Sequence, residues 1–225
     1  MSWFSNLWAT TIGKKIVMAV TGLIVFGFVL GHMAGNLLIF AGAEVYNDYA
    51  HTLQTSGPLL WGTRLTLLLA IPLHIVSAFQ LTKLNMDARQ KSYDKHEKKA
   101  TTPMAMMMKY GGMLLLAFIL LHLGHFTLRV FDPEFATFVT ADGHHDAYRM
   151  VIAGFQNPLY VGFYVLSMLA LWGHLDHGAW SMFQTLGLSH PAYNDARRNF
   201  ARVFAGLLVV GFSIVPIAVI AGLVS

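Results

Sequence analysis

Five stretches of about 20 apolar residues run through the chain, at about 16–40, 61–82, 110–130, 159–180 and 203–224. Each is long enough to cross about 30 Å of hydrocarbon as an α-helix, which takes about 20 residues. None alternates apolar and polar residues as a barrel strand does. Backbone groups in hydrocarbon must satisfy one another, so such stretches fold as helices. The expected fold is an all-α integral membrane bundle of five transmembrane helices, forming a single domain over residues 1–225. Charged residues make up 12% of the chain, against about 25% in an average soluble domain. That is too few to coat a soluble protein of this size. It excludes a disordered chain, a collagen-like repeat and a nucleic-acid-binding domain. The first stretch is too long for a cleaved signal peptide, and no small-x-small cleavage site follows it.

The connections carry an orientation. Lys14 and Lys15 precede the first helix. Lys83, Arg89, Lys91, Lys95, Lys98, Lys99 and Lys109 lie between the second and third, and Arg197, Arg198 and Arg202 lie before the fifth. These are twelve of the fifteen basic residues. The opposite side holds Arg64, Arg129 and Arg149 beside Glu44, Asp48, Asp132, Glu134, Asp142 and Asp146. The positive-inside rule therefore expects the N-terminus in the cytoplasm, and five crossings put the C-terminus outside. The outer connection 132–158 is long enough for a short interfacial helix.

Eleven histidines accompany no cysteine. Without cysteine there are no disulfides, no iron–sulfur or zinc–thiolate ligation and no covalent CxxCH haem attachment. The first four helices each carry at least one histidine: His32, His74, His122 with His125, and His174 with His177. The fifth has none. Any one of them alone reads equally well as a packed, hydrogen-bonded side chain. Four helices each supplying one ionisable group to hydrocarbon point to a functional site. At 1.5 Å per residue, His32 and His122 lie about 24 and 18 Å from the basic side, and His74 and His174 about 10 and 8 Å from it. The histidines thus sort into an outer pair, His32 with His122, and an inner pair, His74 with His174. Depth alone does not separate His122 from His125 or His174 from His177.

Two neutral imidazoles facing each other at one depth suit the iron of a noncovalent, b-type haem, with both axial positions filled. Two such sites at different depths make an electron path across the bilayer. Zinc fits less well, since its structural sites need four ligands converging on one point. Gly27, Gly31 and Gly35 recur every four residues beside His32, a spacing that admits close approach of another helix or a flat macrocycle.

The run Gly31-His32-Met33-Ala34-Gly35-Asn36, followed by Phe40-Ala41-Gly42-Ala43-Glu44-Val45-Tyr46-Asn47, resembles the cytochrome b membrane-anchor subunit of succinate dehydrogenases and fumarate reductases. The five-helix, two-haem type on a single chain is the most similar. Ile12-Gly13-Lys14-Lys15 before the first helix, Gly112 ten residues before His122, and His174-Leu175-Asp176-His177-Gly178-Ala179-Trp180-Ser181 agree in order. The resemblance implies four axial ligands to two haems b: His32, His74, His122 and His174. It selects His122 by its spacing from Gly112, and His174 by its place four residues before Gly178. One departure is Trp172, where some such fumarate reductases have a glutamate; the indole offers no carboxyl for a proton route through that position.

The implied function is electron transfer between an iron–sulfur partner and membrane quinone, with menaquinone favoured by the two-haem type. The dicarboxylate chemistry, succinate oxidation or fumarate reduction, would reside on a flavoprotein and the iron–sulfur protein docked at the cytoplasmic face of a bacterial inner membrane. The basic connection 83–109 is a docking candidate as well as a topology signal. Glu44, Asp48 and His51, just beyond the first helix, are candidates for proton exchange with quinone; each reads otherwise as part of a solvated loop. Arg64, Arg129, Lys15 and Lys83 stand at helix ends, where they would meet haem propionates or snorkel to headgroups. A self-contained transmembrane b-type cytochrome reductase is the alternative, and a transporter with a histidine proton relay is a third reading.

Overall fold

The computed structural model of the chain describes residues 7–88 and 103–225. Most of the basic connection, including Arg89, Lys91, Lys95, Lys98 and Lys99, lies outside the described residues. The described residues form seven α-helices: α1 (Thr11–Leu37), α2 (Ala43–Thr55), α3 (Gly57–Asp87), α4 (Pro103–His122), α5 (Ala147–Phe155), α6 (Pro158–Thr185) and α7 (Asn194–Ile220). Five of them, α1, α3, α4, α6 and α7, are long and apolar enough to cross a membrane. The protein is a multi-pass all-α membrane bundle.

Local chemistry explains the boundaries. Thr10 caps α1 by accepting from the Gly13 amide at 2.9 Å. Asn157 caps α6 by accepting from the Leu159 amide at 2.9 Å, and Pro158 fills a first-turn position whose amide has no helical partner. Several helices outrun their apolar stretches. The second spans Gly57–Asp87 where hydropathy gave 61–82, and the fifth begins at Asn194 where hydropathy gave 203. Hydropathy reports hydrocarbon contact, whereas the backbone hydrogen-bond ladder continues into the headgroups. The first helix starts at Thr11 and narrows into a 3-10 turn, Leu38–Ala41. The third departs most. Hydropathy runs to 130, but α-helix stops at His122 and a π turn, Leu123–Thr127, follows. Arg129, with φ of 55°, then turns the chain out of the helix.

Contacts fix the helix directions. Phe26 stacks on Phe204 with ring centres 4.1 Å apart, and His32 lies 5.9 Å from the Phe212 ring. So α1 and α7 run parallel. Tyr160 lies against His125 and Tyr164 against His122, so α6 runs antiparallel to α4.

The buried apolar core sits at the end of the bundle that carries α2 and α5. It joins Ile39, Tyr46, Val151, Phe155, Val161, Tyr164, Val215 and Val219. Residues 43–55, where a solvated loop was one reading, form α2 because Asn47 ties it to α5. Its amide donates to Asp146 Oδ1 at 3.0 Å, and its Oδ1 accepts from the Tyr148 amide at 2.9 Å. The short helix expected within 132–158 is α5.

Candidate functional site

Each of the four membrane-crossing helices that carry histidine brings one to face another. On α3, His74 follows Pro72, a residue that removes one backbone bond from the helix interior. His74 Nδ1 stands 3.0 Å from the Met18 carbonyl and 3.3 Å from the Thr21 hydroxyl of α1. That hydroxyl already donates to the Val17 carbonyl at 2.7 Å. His74 therefore places its proton on Nδ1, donates it to Met18, and keeps the Nε2 lone pair free. Gly22 eases the approach, since a Cβ there would stand 3.2 Å from His74 Cε1. Across from His74 on α6 stands His174, with ring centres 6.1 Å apart and planes at 60°. His174 Nδ1 is buried without a hydrogen-bond partner.

The outer pair is His32 on α1 and His122 on the last turn of α4, with ring centres 5.8 Å apart and planes at 75°. Each has an aromatic ring one turn earlier on its own helix: Phe28 stacks on His32 at 5.3 Å and Phe118 on His122 at 5.7 Å. His122 Nδ1 lies 3.2 Å from the Tyr164 hydroxyl, which leaves its Nε2 free. The Asn36 amide donates to the His32 carbonyl at 2.7 Å and approaches His32 Nε2 at 3.4 Å. The inner pair abuts Met18–Gly22, and His32 lies about 18 Å further along α1 at helical rise.

The pairs suit a shared iron. Two imidazoles bound to one metal hold their ring centres about 6 Å apart, with metal–nitrogen bonds of about 2 Å and ring centres about 1 Å beyond. The flanks suit a flat macrocycle: a Cβ added at Gly27, Gly31, Gly62 or Gly112 would meet nothing within 4 Å. Gly35, third of the spaced glycines, instead takes the Tyr49 ring of α2 against its backbone. All four histidines are half-buried, not sealed by neighbouring side chains.

The remaining histidines sit elsewhere. The π turn carries His125 away from His32 and into a fully buried position, stacked on Phe126 at 3.9 Å and Tyr160 at 4.1 Å. His177 lies one turn beyond His174 and is not the ring facing His74.

The quinone candidates are less converged. Glu44 and Asp48 are exposed on α2, while His51 stacks on His144 at 3.9 Å. Beside the outer pair, a groove of about 370 Å³ opens between α1 and α3. Phe28 lines it together with Leu59, Gly62, Thr63 and Thr66. Of the helix-end cations, Arg64 lies over the Trp61 ring at 5.3 Å, and Arg129 Nε is buried without a hydrogen-bond partner. Just outside the spanning helices, Tyr46 is buried and beside Tyr49, which together push its pKa up to about 12. It stays protonated and donates to Asn36 Oδ1 at 3.4 Å.

Residue patterns did not single out Thr21, Gly22, Tyr160, Tyr164 or Asp132 as site residues. The available signal was a hydroxyl or small residue inside an apolar run, which is common in any bundle. Comparison with family models, with curated proteins and with solved structures finds no match to this chain.

Proposed function

We propose that the chain is the dihaem cytochrome b anchor of a succinate:quinone oxidoreductase, passing electrons between an iron–sulfur partner and membrane quinone. The observation that carries this reading is the pair of cross-helix histidine couples, with ring centres 5.8 and 6.1 Å apart at two levels of one bundle. His32 and His122 would hold one haem b, and His74 and His174 the other. A haem so held would supply one-electron transfer.

The chain's own residues do the orienting. The Met18 carbonyl fixes the His74 tautomer, and the Tyr164 hydroxyl, which can donate or accept, holds the His122 ring in place; such partners orient a ligating imidazole. Phe28 and Phe118 limit ring rotation at the outer pair. The groove between α1 and α3 gives a flat, apolar quinone a route from lipid to the outer pair. Glu44, Asp48 and His51 on α2 are the nearby groups suited to proton exchange. The basic connections support an N-terminus in the cytoplasm; a bacterial inner membrane and menaquinone are favoured by the resemblance.

The test is haem content with partner recovery. A pyridine haemochrome assay on the loaded, purified protein gives two haems b per chain, and the protein co-purifies with a flavoprotein and an iron–sulfur protein. One haem or none defeats the dihaem reading. Two haems without partners favours a self-contained b-type cytochrome reductase.

A further inference from the structure

A line of polar side chains joins the outer histidine pair to the outer end of the bundle, through a shell of aromatic rings. His122 Nδ1 and His125 Nδ1 each stand 3.2 Å from the same Tyr164 hydroxyl. That hydroxyl carries one proton, so it donates to only one of them. With Nε2 of His122 reserved for a metal, its proton sits on Nδ1 and is donated to Tyr164. The Tyr164 hydroxyl then donates to His125 Nδ1. This puts the His125 proton on Nε2, which is buried, has no hydrogen-bond partner and stands 3.5 Å from Asp132 Oδ2. The same carboxylate oxygen accepts from the Tyr160 hydroxyl at 3.4 Å. The His125 side chain is 0% exposed and that of Asp132 25%, so the line runs from the interior to a partly wetted carboxylate.

The fold builds this line in three places. The π turn sets His125 beside His122 on one tyrosine hydroxyl. Arg129, in the left-handed region, brings the chain back so that Asp132 reaches His125. Gly154 of α5 leaves room, since a Cβ there would stand 3.0 Å from His125 Nε2.

We propose that Tyr164, His125 and Asp132 are positioning residues that tune the outer site, by drawing the Nδ1 proton of His122 toward a carboxylate. The proposal rests on reading His122 as an axial ligand. Partners of this kind raise the basicity of a ligating imidazole, and successive hydrogen bonds polarise one another. A more electron-rich imidazole favours oxidised iron, and hydrogen bonding around a haem's ligands is one of the protein's levers on potential. The inner pair is built differently: His74 Nδ1 ends on the neutral Met18 carbonyl. The outer site is thus held to the lower potential by groups that the inner site does not share.

The experiment is a redox titration of the purified complex, followed by haem absorbance, for the native protein, Asp132→Asn and Tyr164→Phe. Each variant is expected to keep two haems per chain. The component that disappears in His122→Ala should rise in midpoint by about 59 mV, a tenfold change in a one-electron equilibrium. The component that disappears in His74→Ala should not move. Unmoved midpoints overturn the proposal, as does an equal shift of both components. Loss of the outer haem from both variants also overturns it, since the groups would then support the fold and not tune the iron. Haem content separates the two levels of failure. A native protein without haem defeats the proposed function, whereas two haems with unmoved midpoints defeat only the relay.

Discussion

A histidine in hydrocarbon needs a partner for each ring nitrogen or a reason to go without. His74 has Met18 and Thr21, His122 has Tyr164, and His125 has Tyr164 with Asp132 nearby. His174 Nδ1 is buried and unpartnered, as is His125 Nε2, although that nitrogen faces Asp132 at 3.5 Å. An unmade bond of that kind costs about 1–3 kcal/mol, and a functional role for the ring is a reason to retain it. This separates His174 from His177, which lies beyond the facing pair. Replacing His174 by Ala should remove one of the two haems, the component shared with His74. Replacing His177 by Ala should leave both components low-spin and at full stoichiometry. Optical spectra of the two variants decide the matter, and the reverse pattern would move the ligand to His177.

At the scale of elements, the long helices were legible in the sequence because their signal is additive over about 20 residues. Their ends were not. Pro103–His122 stops eight residues short of its apolar stretch, as a π turn and Arg129 interrupt a run that hydropathy scores as continuous. The same turn decides between His122 and His125, which spacing along an ideal helix could not do. Helix α2 was illegible for another reason: its order comes from Asn47, Asp146 and Tyr148, about a hundred residues apart in the chain. The segment 138–146, packed beside this cap, is the element that should respond to acid. It is closed by Thr140 donating to the His144 carbonyl at 2.8 Å and Asp146 donating to that of Phe138 at 2.9 Å. Burial, and next the charge of Arg129, lower the pKa of His145 below 6.5; the Phe138 carbonyl and Asp146 oppose this more weakly. The unfolded chain therefore takes up the proton first as pH falls. The neutral ring's contribution is complete above about pH 6.5 and is lost below it, toward the folded-state pKa. Amide protection factors at Thr140 and Asp146 should fall as the pH drops below about 6.5. His145→Gln should abolish that dependence. An unchanged profile in the variant would assign the effect to another group.

Across the whole molecule, alternating helix direction is what sorts the four ligand candidates into two couples. His32 and His122 lie toward the α2 and α5 end, and His74 and His174 toward the Met18–Gly22 level of α1, about 18 Å away at helical rise. No residue of one couple contacts the other among the described interactions, so the sites should be lost separately. If the couples hold haem as proposed, His32→Ala or His122→Ala should each remove the same spectral component and block quinone turnover, while the proposed soluble partners still reduce the remaining one. His74→Ala or His174→Ala should remove the other component and interrupt the path at its cytoplasmic start, leaving the outer component slowly reduced. Assembly should differ as well. The outer couple adjoins the packed core of Ile39, Tyr46, Phe155 and Val161, so its variants retain a folded support. The inner couple lies outside that cluster, and its variants should assemble at lower yield. Redox titration of each assembled single-histidine variant reads the pairing directly. If His32→Ala and His74→Ala lose the same component, the two couples do not bind separate groups, and the electron path drawn from them fails.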